Sequence, residues 1–343
     1  MRALSFIFCL LALPALHAGD AQAQDFYKGK TITFLVGSGA GGGYDVYARV
    51  YAQHVVKHIA GHPLIIIKNM PAAAGLAAAS ALYTLPEKDG LTIAALPNGA
   101  AMDALFGNAG ARFDSLRFNW IGSIGKLQNI CATWHLSSIK TIEQAQEREV
   151  IVAGAGATSN TAIVPKILNE LIGTKFKVIV GYDPTGGLNK ALEGGEAEGI
   201  CGLSWSTLKA SRPDWIRDKM LNVIVQMGLQ KLPDLPDVPS VMDMVRDDEA
   251  RKVLELILIR QEMGRPIATN PDVPFDRVAI LRKAFNETMD DADFRADSAR
   301  LGLEIDPLTG KDIQDLLEKA YAAPKPIIAR AAHLVDPTLQ DAK

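Results

Sequence analysis

At 343 residues with 48% apolar side chains, the chain is long enough for two ordinary hydrophobic cores. Its 36 basic and 39 acidic residues leave a net charge of −3, with no basic run or arginine-rich face, which argues against nucleic acid as a partner.

The N-terminus comes first in the chain and reads as an address. Met1-Arg2, the apolar run Ala3 to Leu16 and Ala21-Gln22-Ala23 form the charged, apolar and small-residue regions of a secretory signal peptide. The apolar run is too short to span a bilayer comfortably, and the longest later run, Val253 to Ile259, is broken by Glu255. A signal peptide over 1–23 and a periplasmic mature protein starting near Gln24 are expected. Of the cysteines, Cys9 falls in the removed segment. Cys131 and Cys201 are expected as free thiols on buried strands, although an oxidising compartment permits a bridge.

Next comes the stretch on which the reading turns. Thr31 to Val36 is β-branched and apolar and predicts a buried strand, while Tyr44, Tyr47, Ala48, Tyr51, Val55 and Ile59 recur at helical spacing. Between them, Gly37 to Gly43 holds five glycines in seven positions, so the backbone can approach a ligand and feed it to a helix N-terminus, which favours an anion. A flexible connection without a ligand is the plainer alternative. Gly37-Ser38-Gly39-Ala40-Gly41-Gly42 also fits the dinucleotide fingerprint. The following strand, Pro63 to Ile67, ends in Lys68-Asn69-Met70-Pro71, without the acidic residue that holds a ribose, and no Gly-Lys-Ser/Thr closes a phosphate loop.

An alanine-rich helix to about Leu85 and a third strand, Leu91 to Leu96, ended by Pro97-Asn98-Gly99, complete a set of strand-loop-helix units. Such units predict a parallel sheet with its ligand site off the carboxyl ends of the strands. Ile130 to Trp134 reads as a strand leaving the first domain. A second set follows: strand Glu149 to Ala153, loop Gly154 to Asn160, helix Thr161 to Leu171, strand Lys177 to Val180, loop Gly181 to Gly187, and strand Ala197 to Leu203. In the loop before the helix, Thr158, Ser159 or Asn160 is placed to cap it. Leu221 to Met227 reads as the strand returning the chain to the first domain, and the remainder as mostly helical. Domains are expected at 24–128 plus 228–343 and at 129–227.

Chemistry for an enzyme is missing. His54, His58 and His62 have metal-like spacing, but Val55 stands where a zinc-protease helix carries its glutamate, and no metal site is assigned. There is no G-x-S-x-G elbow, no catalytic carboxylate pair and no Cys-x-x-Cys, so neither catalysis nor a cofactor is expected.

Phe34-Leu35-Val36, Gly41-Gly42-Gly43-x-Asp45, Ala48-Arg49, Asn69-x-Pro71-x-x-x-Gly75 and Asp89-Gly90-x-Thr92 together resemble the substrate-binding proteins of tripartite tricarboxylate transporters, the Bug or TctC-like family. The likeness continues through Tyr182, Gly194-Gly195 and the Leu232 to Pro239 turn. It implies an α/β, type II periplasmic-binding-protein fold, a two-domain Venus flytrap with a hinge and an interdomain cleft. It also implies a receptor that captures a small organic acid and hands it to a large and a small membrane subunit. A sensory ligand-binding subunit and, more remotely, a nucleotide-cofactor enzyme are the alternatives.

Carried onto this chain, the resemblance implies contacts from Ser38, Gly39, Ala40, Gly41, Gly42, Gly43, Tyr44 and Asp45. Ala73, Ala74 and Gly75 would join them on the same domain. The other domain would supply Ala157, Thr158, Ser159, Asn160 and Thr161, with Thr185, Gly186 and Gly187. Two departures alter the cleft lining. Gly39-Ala40 replaces the usual prolines with Tyr44 at a position often small and hydroxylated, and Ala191 stands where many members place an acid. From the residues themselves, Asn69, Asn98 and Asn160 are candidates to orient a ligand, Asp45 to brace the loop, and Arg49 to pair with a carboxylate. Neither glycine loop contains lysine or arginine, so the ligand is expected to be held mainly by backbone N–H groups.

Overall fold

The structure is a computed structural model that describes residues 26–336 apart from 158, 184 and 185. The expected signal peptide over 1–23, Thr158 and Thr185 therefore lie outside the described residues. Two mixed sheets organise the rest. The first contains β1 (Thr31–Val36), β2 (Leu64–Asn69), β3 (Thr92–Ala95), β4 (Asn119–Ser123), β10 (Pro266–Thr269) and β11 (Leu308–Thr309), in the order β11-β4-β10-β3-β1-β2. The second contains β5 (Asn129–Trp134), β6 (Val150–Gly154), β7 (Phe176–Val180), β8 (Gly199–Ser204) and β9 (Leu221–Met227), in the order β7-β6-β8-β5-β9.

The two sheets share a plan. In each, the first strand of a strand-loop-helix unit sits between its parallel neighbours, and an antiparallel strand follows on the far side of the third. The expectation of a parallel sheet is thus corrected: β10 runs antiparallel between β3 and β4, and β5 antiparallel between β8 and β9. The largely helical remainder after residue 239 is corrected by the same β10. Its four residues begin with proline and follow a helix closely, which left little local signal, but partners on both sides satisfy its backbone groups. Ile130 to Trp134, read as a strand leaving the first domain, is an interior strand of the second sheet.

The helices that matter for the site are α1 (Gly43–Val55), α2 (Asn160–Ile172), α3 (Trp205–Ser211), α4 (Asp248–Glu262), α5 (Phe275–Asp290) and α6 (Lys325–Val335). On α1, Tyr47, Ala48, Tyr51 and Val55 are buried, and Tyr51 meets Phe34 of β1 in a T-shaped ring contact and Phe285 of α5 in a tilted one. Nearly every position of α4 from Val253 to Gln261 is buried, because this helix lies among other elements rather than on a surface, with α6 packed along it and also touching α2.

The chain passes between the sheets beside itself. Ile124 N donates to Arg265 O and Leu127 N to Gln261 O, and a Cβ added at Gly264 would fall 2.3 Å from Leu127 N. Only glycine permits that approach.

Two further expectations are settled here. Cys131 and Cys201 are register partners on β5 and β8, both fully buried, and they are joined as a disulfide, which corrects the expectation of free thiols. The three histidines are spent separately: His54 Nε2 lies 3.0 Å from Asp297, His58 Nε2 2.9 Å from Asp291, and His62 Nδ1 3.1 Å from the Val56 carbonyl.

Candidate functional site

A cavity of about 590 Å³ opens where the loops at the ends of both sheets meet. The first sheet contributes Tyr44, Ala73, Ala74 and the segment Pro97 to Ala100, and the second contributes Ser159, Asn160, Gly202 and Ser204. This is the end of the strands at which α/β sheets bind ligands.

Three loops of the first sheet are locked together there. Gly75 has φ +88°, and a Cβ on it would fall 2.4 Å from both Gly37 O and Pro97 Cγ. Just before it, Ala73 and Ala74 have φ values of 52° and 53°. Left-handed backbone costs a non-glycine residue roughly 1–2 kcal/mol, and strain of this kind concentrates where a surface is shaped for binding.

The glycine loop is built differently from the expected cradle. Asp45 is 2% exposed and accepts hydrogen bonds from Gly41 N (2.8 Å), Arg49 Nε (2.7 Å) and Asn69 Nδ2 (2.8 Å). Burial pushes its carboxyl up, but the Arg49, Gly41 and Asn69 donors together hold it below the usual carboxylate range. Asp45 and Arg49 take the bracing and pairing roles read from the sequence. Asn69, offered as a ligand-orienting residue, joins this brace instead, since its Nδ2 also donates to Ser38 O. Ser38 to Gly43 do not line the cavity, and Gly39 to Gly42 are exposed. Gly43 faces inward: a Cβ there would come 3.7 Å from Thr207 Oγ1 and 3.8 Å from the Arg265 guanidinium, which lies 4.0 Å from the Tyr47 ring centre.

Opposite, the start of α2 is set by backbone packing. Gly202 has φ +73°, and a Cβ on it would fall 2.3 Å from Asn160 O, so strand β8 and the helix start touch through backbone alone. Ser159 occupies the N-cap position without a side-chain cap, because its hydroxyl turns to Gly156 O (2.7 Å) and Thr161 Oγ1 (2.8 Å). The N-cap of α1, Gly42, likewise supplies no side-chain cap. Two helix N-termini are left with backbone donors uncapped by side chains, one from each sheet.

Of the sequence-derived residues, the cavity collects Tyr44, Ala73, Ala74, Asn98, Ser159 and Asn160. Gly75, Asp45 and Thr161 stand behind it as supports, and Ala157, Gly186 and Gly187 do not line it. Tyr44 is tied by its hydroxyl, which accepts from Asn98 N (2.9 Å) and donates to Asn98 Oδ1 (3.3 Å), and burial pushes its phenol up.

Several polar residues of the cavity were missed, Asn129, Arg260 and Asp103 among them. Asn129, at the start of β5, is 1% exposed with both side-chain polar atoms unpartnered; Asn98 Nδ2 is unpartnered too. Arg260, near the end of α4, is 7% exposed and donates from Nη2 to Asn160 Oδ1 (3.2 Å). Burial pushes its guanidinium down, against the opposing pull of Asp103 and Tyr44. Asp103 also lines the cavity, and burial pushes its carboxyl up to about 6. A full positive charge therefore reaches the cavity from outside both loops. Its sequence signal was an Arg-Gln pair closing the longest apolar run.

No family model matches the chain. It is 24% identical over 242 residues to a UPF0065 protein of Bordetella bronchiseptica, covering 68% of each. Among solved structures it is similar to a TctC solute binding protein from Polaromonas, with 20% identity, 90% of this chain and 99% of that one covered, and a TM-score of 0.67. It is also similar to the periplasmic binding protein BugD (18% identity, 90% and 97% covered, TM-score 0.64). The chain shares the fold of these solute-binding proteins. MatC from Rhodopseudomonas palustris, solved with bound malate, matches at 19% identity over 90% of this chain and 99% of that one, with a TM-score of 0.64. The fold is the two-domain, type II periplasmic-binding-protein architecture, with the cavity between its two sheets.

Proposed function

We propose that the chain is an extracytoplasmic solute-binding receptor of the tripartite tricarboxylate-transporter type. It captures a small organic acid in the cavity between its two sheets and delivers it to a large and a small membrane subunit. Binding, not turnover, is its task. The observation that carries this reading is the set of buried polar groups left for a ligand: Asn98 Nδ2 and both polar atoms of Asn129, beside the guanidinium of Arg260. Buried polar atoms without partners are costly, and a bound polar molecule between the sheets removes that cost. The N-terminus of α2, which reaches the cavity through Ser159 and Asn160 and has no side-chain cap, favours an acid over a neutral sugar. The malate in the MatC structure agrees with this class.

The domains are taken as 24–128 plus 228–343 and 129–227, joined where residues 124–129 and 261–265 run side by side. Contacts that bridge them, such as Arg260 to Asn160 and Lys209 to Glu304, favour the closed form. No helix among the described residues is long and apolar enough to cross a membrane. The charged, apolar and small-residue order of residues 1–23 supports a periplasmic location.

A thermal-shift screen tests the reading. Carboxylic acids should raise the transition, by about 2.7 kcal/mol of stability at a hundredfold excess over Kd. Arg260→Gln should weaken the best acid roughly tenfold, about 1.4 kcal/mol, whereas Arg49→Gln, whose charge is spent on Asp45, should change it little. Stabilisation only by neutral sugars, cationic amines or nicotinamide nucleotides would overturn the reading.

A further inference from the structure

The cavity holds one cation and one unpaired anion that do not touch each other. Among the described residues, Arg260 makes no ion pair, and the carboxylate of Asp103 has neither an ion pair nor a side-chain hydrogen bond. The two still interact across the cavity, and Asp336 at the end of α6 adds a second carboxylate to the lining. A half-buried carboxylate without a partner is unfavourable in a site that exists only to hold simple anions. A di- or tricarboxylate would bring further negative charges to a lining in which Asp103 already stands without an ion pair beside the one guanidinium of Arg260.

We propose that the ligand is a zwitterion, an organic acid bearing an ammonium group, whose carboxylate meets Arg260 and the amides of Asn129 and Asn160 and whose ammonium meets Asp103. This rests on the reading of the cavity as a carboxylate site and narrows it to amino acids and related amino-carboxylates. Each charge of such a ligand finds its complement, and no buried ion is left alone. Leu76, Phe106, Leu127, Ile163 and Val335 supply an apolar wall, so a ligand with a hydrocarbon body is accommodated as well as a short one. Specificity of this kind is strong, because a ligand lacking the ammonium leaves Asp103 as uncompensated as it is in the empty site.

The test compares matched pairs that differ by the amino group: leucine with 4-methylpentanoate, phenylalanine with 3-phenylpropanoate, aspartate with succinate, and glutamate with glutarate. Each is titrated calorimetrically into the mature protein at pH 7.5. In any pair that binds, the amino member should bind at least tenfold tighter. Asp103→Asn should reduce that ratio to about twofold by weakening the amino member, while Arg260→Gln weakens both members. If the acids without an amino group bind as tightly or more tightly, or if Asp103→Asn leaves the ratio unchanged, the zwitterion inference falls and the carboxylate reading stands. If no member of any pair binds, both fall. Should the Asp103 variant not fold, the ratio in the parent protein decides alone.

Discussion

Asp103→Asn also tests the electrostatics of the empty cavity, without any ligand. The carboxyl of Asp103 is raised from 3.8 to about 6, chiefly by burial, with Arg260 opposing the shift and Asp336 adding to it. A shift of about two units, at roughly 1.4 kcal/mol each, makes the ionised group a cost of about 3 kcal/mol to the folded state at neutral pH. The sign follows from proton counting. Between pH 3.8 and about 6 the folded state holds more protons at this site than the unfolded state, so stability falls as pH rises through that window and is level above it. The cost is absent below the unfolded value and complete above the folded one.

Asparagine keeps the shape and removes the charge. Measured by urea unfolding without ligand, the stability of Asp103→Asn relative to the parent should increase by about 2–3 kcal/mol between pH 4 and pH 7.5, most of it between pH 4 and 6. The pH-dependent part of the difference isolates the charge, because any loss from burying an amide is the same at every pH. A difference that stays flat across this range would refute the reasoning. It would mean that the carboxylate is as well solvated in the cavity as in water, and the argument from an unpaired charge would lose its basis.

The remaining predictions concern the scaffold. Gly202→Ala must hold a left-handed backbone and place a methyl 2.3 Å from Asn160 O, so it should cost roughly 2–4 kcal/mol in urea unfolding and also weaken ligand binding, as the start of α2 is displaced. Unchanged affinity in a folded variant would show that α2 does not set the site. Asp45→Ala removes the acceptor for three donors and should cost about 2–3 kcal/mol at pH 7. Because that carboxyl is held low, its contribution is present above pH 3.8 and fades only as pH falls through the lower folded value, so the penalty should shrink in strong acid. Thiol counting under denaturation on oxidised protein should find none, and reduction of the bridge across 70 residues should lower stability by roughly 4 kcal/mol. Two titratable thiols would contradict the bridge.

What could be read from the sequence follows from how locally each feature is determined. Strands β1 and β9 match their predicted limits, Thr31–Val36 and Leu221–Met227, because β-branched and apolar residues fill them. β10 escaped because Pro266-Ile267-Ala268-Thr269 has no such run, and only the flanking β3 and β4 make it a strand. The Cys131–Cys201 bridge was undecidable for a related reason: the pairing depends on the register of β5 against β8, which neither strand specifies by itself.

The same division runs through the site. Tyr44, Asn98 and Asn160 were legible because each lies just past a strand end, and any such fold brings those loop ends together. Arg260 and Asn129 lie on the elements that pass between the sheets, so only the assembled topology shows that they reach the cavity. The glycine loop misled in the other direction. Its composition suggested a ligand cradle, yet only Gly41 has a left-handed backbone there, at φ +78°, while Gly39 to Gly42 are exposed and held by Asp45. Glycine marks where a backbone must turn or approach closely; it does not say whether the neighbour is a ligand or another part of the chain. At Gly75 and Gly202, which make the closest approaches around this cavity, the neighbour is the protein itself, and the space so shaped is finished by the charged and amide side chains of Asp103, Asn129 and Arg260.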